Sequence, residues 1–249
     1  RNFWEPLTVG ALNTMPDRAA AALMRPVLRE TFLRGGAACR PLIARTSLAD
    51  TLIDPALAKL ENAGATVRFG ARIDTLTFDD GRISMLACGG AATAVAPTDI
   101  VILAVPPWIA ETLVPDLKVP PPGEPIVNVH YRLPRAVTAP SDVRIVGVVG
   151  GLAQWIFARR HGEADVASVT ISAARAVVER SAEDIASACW RDVALALDLE
   201  DMPTPMSRVV KERRATFAQT PETQSLRPGA VTPWPNLLLA GDWTDTGLP

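Results

Sequence analysis

Residues Pro235 to Pro249 read PNLLLAGDWTDTGLP, and this stretch decides how the rest of the chain is interpreted. Its apolar run, Leu237 to Ala240, is typical of a short strand buried on both faces of a parallel sheet. Ligands of open α/β sheets bind just beyond the carboxyl ends of such strands. A glycine there lets the backbone approach a ligand, and a carboxylate beside it can accept hydrogen bonds from sugar-like hydroxyls. The sequence therefore predicts a ligand site at Gly241 and Asp242, with a simple tight loop as the alternative.

The two ends of the chain suggest a longer protein. The sequence starts at Arg1 rather than at a methionine, and it stops at Pro249, where a helix would be expected to follow the strand. We therefore expect a C-terminal fragment, and we expect any activity to belong to the longer protein rather than to this piece alone.

Composition narrows the class of protein. With 249 residues, 48% hydrophobic and 21% charged, the chain can bury a substantial core in one or two domains. A net charge of −2 argues against a nucleic-acid-binding surface. The three cysteines, Cys39, Cys88 and Cys189, are far apart and lack CxxC spacing, which disfavours a disulfide framework or a zinc site and favours a reducing cytoplasm. No apolar run reaches the roughly 18 residues of a membrane span.

The segment 47–112 has the pattern of an α/β layer. After a helix, Thr66–Phe69 predicts a strand, and Asp79–Gly81 predicts the turn of a hairpin. The apolar run Ile100–Val105 then predicts another strand buried on both faces, which Pro106–Trp108 closes.

A change of character marks a second region. The proline-rich run 114–123 predicts a crossing between domains, alternating runs between 126 and 172 predict an antiparallel sheet, and Ser181 predicts the N-cap of a helix. The predicted division is 1–46 for a helical part of a substrate domain, 47–112 for a cofactor-domain segment, 113–233 for the sheet and helix of the substrate domain, and 234–249 for a return to the cofactor domain.

Most catalytic signatures are missing from the sequence. It contains no G-x-S-x-G, no metal-ligand spacing and no glycine-rich phosphate loop in a strand–turn–helix context. His130 and His161 are interpreted as structural. The catalytic residues are therefore unknown at this stage, and no metal is expected.

Several segments of the sequence resemble those of a known protein family, and this resemblance indicates a function. NLLLAGDWTDTGLP closely resembles the C-terminal flavin-binding motif of bacterial hydroxysqualene dehydroxylases, which are squalene-associated FAD-dependent desaturases of the amine oxidase and phytoene desaturase superfamily. The resemblance runs along the whole chain. Its supporting segments are FWEPLTVGALNTMP (3–16), DIVILAVPPW (99–108) and ERRATFAQTP (212–221).

The resemblance implies an α/β fold. It would contain pieces of an FAD-binding, Rossmann-like domain of the amine oxidase and glutathione reductase type, together with a substrate domain of antiparallel sheet and helices. The N-terminal βαβ unit, whose glycine fingerprint would hold the pyrophosphate, is missing from the sequence.

The resemblance also assigns cofactor contacts. Asp242 would accept hydrogen bonds from the ribityl hydroxyls of FAD, Gly241 would allow the approach, and Trp243 would pack beside them. The residues Gly247, Leu248 and Pro249 would lead toward the flavin ring, the backbone of Ile73 would meet the adenine, and Ala104, Val105 and Pro106 would line the cofactor edge.

The implied function is reductive removal of the hydroxyl of hydroxysqualene, giving squalene, by an FAD-dependent oxidoreductase. Two alternatives remain: a carotenoid desaturase or amine oxidase-type flavoenzyme, and a non-catalytic lipid-binding protein. The expected partner is a long isoprenoid lipid and not a nucleic acid. The expected location is the cytoplasm, with peripheral contact at the inner face of the cytoplasmic membrane.

Overall fold

A computed structural model describes residues 2–44, 47–133, 137, 143–161 and 164–249. The helices are α1 (Trp4–Leu12), α2 (Ala21–Glu30), α3 (Asp54–Asn62), α4 (Pro107–Leu113), α5 (Ala182–Leu197) and α6 (Pro221–Gln224). The strands are β1 (Ile73–Asp79), β2 (Arg82–Cys88), β3 (Ala91–Ala94), β4 (Val101–Leu103), β5 (Ile126–Leu133), β6 (Val143–Gly147), β7 (Trp155–His161), β8 (Ala164–Ile171), β9 (Ser207–Glu212) and β10 (Leu237–Leu239).

The largest sheet is antiparallel, in the order β6-β7-β8-β5-β9. Alternation along β5 buries Val127, Val129 and Tyr131 in one core with the apolar side of α5, while the side chains between them face the other way. Helix α5 begins as the sequence predicts, because the Ser181 hydroxyl accepts a hydrogen bond at 3.0 Å from the Asp184 amide. The predicted antiparallel sheet and its helix are confirmed.

Two smaller sheets form the second part of the fold. Strands β1, β2 and β3 make an antiparallel meander. Asp80 and Gly81, at its first turn, both have positive φ angles, of 48° and 73°, as a two-residue hairpin of this kind requires. Strand β10 pairs in parallel with β4, with Leu237 opposite Val101 and Leu239 opposite Leu103. The parallel strand predicted at Leu237–Ala240 is therefore present.

The side chain of Asn236 fastens the parallel pair to the meander. Its Oδ1 accepts a hydrogen bond from the Ile83 amide and its Nδ2 donates one to the Ile83 carbonyl, both at 2.9 Å. The two residues are 153 positions apart in sequence, and both are buried. Ile83 lies opposite Phe78 of β1 but before the part of β2 that pairs with β3. Asn236 thus satisfies the Ile83 amide and carbonyl, and it sets the start of β10.

A buried polar cluster joins α1 to the large sheet and its connecting loops. Asn13 ends α1 in the left-handed region, where asparagine is tolerated. Its Nδ2 donates to the Glu124 carbonyl and to Thr216 Oγ1, and its Oδ1 accepts from the Ala173 amide. The carboxylate of Glu124, whose side chain is 4% exposed, binds the guanidinium groups of Arg18 and Arg175 at 3.1 and 3.0 Å.

Two predicted strands differ from the structure. Thr66–Phe69 forms no strand, since no described residue pairs with it. Strand β4 is not buried on both faces, because Ile100 and Ile102 are each 64% exposed. Apolar residues of α3 are exposed as well, with Leu60 46% exposed. An apolar run predicts that its side chains are buried, but the described residues leave these side chains exposed.

Among the described residues, no helix combines the length and the apolar character needed to cross a bilayer. Helix α5, the longest, has 16 residues and carries acidic residues in its first turn.

Replacing Asn236 by alanine should destabilise the fold. The substitution removes two hydrogen bonds and leaves the Ile83 amide and carbonyl buried without partners, at a cost of about 2–4 kcal/mol. Urea unfolding should show this loss in the free energy of unfolding. The exposed Asn62, at the end of α3, provides a control, since its replacement by alanine should change stability little; equal losses in the two variants would contradict the assignment.

His130 should make stability depend on pH. Burial, and then the charges of Arg159 and Arg208, lower its pKa below the ordinary 6.5, and its Nδ1 lies 2.9 Å from Ser168 Oγ. The unfolded chain therefore binds a proton more readily than the folded one, and this contribution to stability is lost as the pH falls from about 7 toward 5. The variant His130→Asn should lose less stability over that range. The free energy of unfolding, measured by urea unfolding at each pH, should change equally in the variant and the wild type between about pH 7.5 and 8.5. Equal changes between about pH 7 and 5 would rule out the effect.

Candidate active site

The parallel strands β4 and β10 end at a cavity of about 540 Å³. The lining residues come from both strand ends and from the segment after β9: Ala104–Trp108, Pro122, Glu212, Arg214–Phe217 and Ala240–Trp243. A cavity at the carboxyl ends of parallel strands is the place where open α/β sheets bind ligands. The predicted ligand site and this cavity therefore coincide in position.

The turn after β10 is held tightly. The amide and the hydroxyl of Thr244 both donate hydrogen bonds to the Gly241 carbonyl, at 3.1 and 2.7 Å. The side chain of Trp243 is 1% exposed, and its Nε1 donates at 2.9 Å to the Val105 carbonyl, which follows β4. The indole therefore ties the two loops of the cavity together.

Gly241 has a geometric reason to be glycine. Its φ angle is +154°, and a Cβ atom on it would lie 2.6 Å from Trp243 Nε1. No side chain can be added there without displacing the indole that bonds Val105. The absent side chain also leaves the Gly241 backbone exposed at the cavity wall.

Asp242 is the acidic group of the turn. It is exposed and lines the cavity, and no described residue donates a hydrogen bond to its carboxylate. A carboxylate in this state has its acceptor capacity available for hydroxyl groups of a ligand.

Arg227 lies behind the turn and was missed by the sequence analysis. It is 6% exposed, and its guanidinium donates to the carbonyls of Leu248, Asp242 and Thr244 at 2.8, 3.0 and 2.5 Å. Burial lowers the pKa of Arg227, while the negative charges of Asp245 and Asp242 act in the opposite direction. The only signal in the sequence is an arginine before Pro-Gly, which does not reveal burial.

The remaining predicted residues lie apart from the cavity lining. Ile73 begins β1 and packs against the core that contains Trp243. Gly247, Leu248 and Pro249 follow the turn, with Leu248 49% exposed. The structure thus brings Ala104, Val105, Pro106, Gly241, Asp242 and Trp243 together around one cavity, and it places Ile73 and residues 247–249 outside its lining.

The opposite wall comes from the segment after β9, which the sequence analysis did not assign to the site. The guanidinium of Arg214 lies 4.2 Å from the centre of the Trp108 ring, and its backbone amide donates to Glu212 Oε1 at 3.1 Å. This cation–π contact joins the end of the large sheet to the loop after β4. The polar part of the wall is therefore built by residues far from the motif.

Nucleophilic and metal chemistry find little support in the described residues. Burial raises the pKa of the Cys189 thiol to about 12, which leaves it protonated and unreactive. Tyr131 is buried and donates its hydroxyl to the Ala186 carbonyl at 2.6 Å. Within the described ranges, no group of three or more His, Cys, Asp or Glu residues is placed to hold a metal ion.

The fold and the cavity define an α/β protein with a cavity at the ends of parallel strands, where a glycine and an exposed carboxylate line the wall. A family model described as "Flavin containing amine oxidoreductase" matches residues 2–249, and the chain belongs to this family. The cofactor that this membership implies is FAD.

Two curated relatives carry the name "Hydroxysqualene dehydroxylase". The one from Sinorhizobium fredii (strain NBRC 101917 / NGR234) is 45% identical over 100% of this chain and 58% of its own length. The one from Rhodopseudomonas palustris (strain ATCC BAA-98 / CGA009) is 43% identical over 98% of this chain and 57% of its own length. The chain therefore spans somewhat more than half the length of these relatives.

Solved structures support the fold. An oxidoreductase from Methanosarcina mazei superposes with a TM-score of 0.59 at 12% identity, covering 98% of this chain and 59% of that protein. At this identity the similarity concerns the architecture alone.

The residues of the cavity fit part of FAD. The free carboxylate of Asp242 suits the ribityl hydroxyls, and the apolar residues Ala104 and Val105 suit the edge of a flat ring system. The sequence holds no glycine fingerprint for the phosphates. The cavity therefore matches the ribityl and flavin side of the cofactor.

Replacing Gly241 by alanine should damage the site. The new methyl group would meet Trp243 Nε1 at 2.6 Å, so the indole must move and its hydrogen bond to Val105 must weaken, at a cost of about 2 kcal/mol or more. Thermal unfolding should show a lower midpoint, and FAD titration a weaker affinity. Gly36→Ala is the matched control, because Gly36 has open space around it. An equal loss of unfolding midpoint and FAD affinity in both variants would contradict the role given to Gly241.

Proposed function

We propose that this chain is part of an FAD-dependent oxidoreductase that removes the hydroxyl of hydroxysqualene and gives squalene. The observation that carries the proposal is the free carboxylate of Asp242 at the cavity where β4 and β10 end, in a member of a flavin-containing family. The names of the relatives at 45% and 43% identity supply the substrate.

On the cofactor side, the chain orients and holds FAD. Asp242 accepts hydrogen bonds from the ribityl hydroxyls, while the contact of Trp243 with Val105 keeps the two strand-end loops in register. FAD, when bound in its reduced form, supplies the hydride for the reaction. The protein residues set the position of the ring and exclude water around it.

On the substrate side, the chain offers an apolar wall. A second cavity, of about 380 Å³, lies between α1 and the sheet face opposite α5, and its lining includes Leu7, Gly10, Trp155 and Phe157. Loss of a hydroxyl from an allylic alcohol leaves a delocalised cation that water would capture. A dry, apolar wall that positions the chain of the substrate is therefore the property that this reaction needs.

Two glycines shape this wall. A Cβ atom on Gly10 would lie 3.0 Å from Trp155 Nε1, and one on Gly147 would lie 3.2 Å from Trp155 Cζ3. The indole of Trp155 thus fills the narrow space between α1 and β6, where it presents a flat apolar surface next to Phe157.

The proposed location is the cytoplasm, with peripheral contact at the inner face of the cytoplasmic membrane, where a long isoprenoid resides. The supporting feature is an aromatic cluster at the start of α1, the helix whose later residues line the second cavity. Phe3 packs edge-on against Trp4 and Phe32, with ring centres 5.2 and 5.6 Å apart, and Phe3 and Trp4 are each more than half exposed. Exposed aromatic side chains of this kind are favoured at membrane interfaces.

The test is a product assay with the full-length protein. Reduced FAD and hydroxysqualene, mixed with the enzyme in the absence of oxygen, should give squalene, which mass spectrometry detects. Absence of squalene from a flavin-loaded enzyme would falsify the proposal. Turnover of an amine or a carotenoid precursor instead, seen as a change in flavin absorbance, would favour the related flavoenzymes.

Asp242→Ala tests the proposed contact with the cofactor. Loss of a charged acceptor should weaken FAD binding about ten-fold or more, with a smaller effect on turnover at saturating FAD. Asp116→Asn is the control, because Asp116 is exposed, lies outside the cavity lining, and occupies a left-handed position that asparagine tolerates. Unchanged FAD affinity in Asp242→Ala would remove Asp242 from the cofactor site.

A further inference from the structure

The buried guanidinium of Arg227 connects separate points of the turn that carries Asp242. It donates to the backbone carbonyls of Asp242, Thr244 and Leu248, which span most of the segment after β10. None of these acceptors is a side chain. The contacts therefore define the path of the backbone rather than the identity of the residues along it.

We propose that Arg227 is a positioning residue for FAD, because it holds the segment 241–249 in the shape that presents the Asp242 carboxylate to the cofactor. The inference rests on the FAD part of the proposed function and not on the identity of the substrate. Arg227 itself lies behind the turn and is absent from the cavity lining, so it acts through Asp242 rather than by touching the ligand.

The geometry explains why an arginine is required. A planar guanidinium offers five N–H donors in a fixed fork, so it can serve several carbonyls in different directions at once. A lysine ammonium is a single point of charge on a flexible stem and cannot span the same three acceptors. In addition, the Arg227 guanidinium lies over the ring of Phe217, 5.4 Å from its centre, and Phe217 lines the cavity.

The position of Arg227 is held at an energetic cost. The side chain is buried, and its Nε has no hydrogen-bond partner among the described residues. Burying an arginine in this way is unfavourable unless its charge is met by acceptors and by nearby negative groups. Here the three carbonyls and the charges of Asp242 and Asp245 serve that purpose. A side chain under this constraint keeps its orientation, and so does the turn bound to it.

The experiment measures FAD affinity in the full-length protein after removal of the bound flavin. Titration with FAD, followed by flavin fluorescence and without substrate, should give a dissociation constant about ten-fold or more above wild type for Arg227→Met. Arg227→Lys should also bind FAD more weakly, although it keeps the positive charge. A wild-type dissociation constant in either folded variant would overturn the proposal.

Arg82 provides the matched control. Its Nη2 also donates to two backbone carbonyls, those of Ala96 and Pro97, at 2.8 and 3.2 Å, but it lies in the meander outside the cavity lining. Arg82→Met should leave the FAD dissociation constant within about two-fold of wild type. An equal loss of affinity in Arg82→Met and Arg227→Met would show a general effect on stability and would overturn the specific role.

A second measurement needs no variant, so it tests the proposal even if the substitutions prevent folding. In wild-type protein without FAD, the amides of Thr244 and Thr246 should exchange slowly with solvent deuterium, because Arg227 already holds the turn in which they are bonded. Rapid exchange of both amides before FAD is added would overturn the proposal. Neither measurement includes substrate. A protein that forms no squalene would therefore leave the role of Arg227 standing, and loss of the role of Arg227 would not contradict the formation of squalene.

Discussion

The parallel pairing of β4 with β10 is the constraint on which the cavity depends. It brings the loops after the two strands to the same edge, so that Trp243 can bond Val105 across 138 positions of sequence. Both strands have only three residues, which is too short for ladder hydrogen bonds alone to hold them. Asn236 and the indole of Trp243 complete the pairing at its two ends, one before the strand and one after it.

A second constraint holds the large sheet against the rest of the chain. The Asn13 side chain joins three separate segments, through two backbone groups, the Glu124 carbonyl and the Ala173 amide, and through the Thr216 hydroxyl. The Glu124 carboxylate adds two arginines to the same cluster. Polar groups buried in this way are favourable only when each has its partner. This cluster therefore holds the end of α1 against the loops next to the sheet, and α1 in turn supplies one wall of the second cavity beside Trp155.

Local rules predicted much of this fold, and long-range contacts account for the rest. The hairpin at Asp80-Gly81 and the cap at Ser181 follow from residue types that act within a few positions. Arg227 and Arg214 could not be predicted, because their partners are backbone carbonyls and an aromatic face, which leave no pattern in a single sequence. The exposure of Ile102 could not be predicted either, since an apolar run does not tell which part of a protein covers it.

The contacts of Arg227 also bear on how such a site can evolve. Since the guanidinium recognises only carbonyl oxygens, substitutions at Leu248 can accumulate without loss of the loop, provided that the backbone keeps its path. An insertion or deletion in the same segment has no such freedom, because it moves the three acceptors relative to one another. We therefore expect this loop to vary in its side chains but to keep its length during evolution.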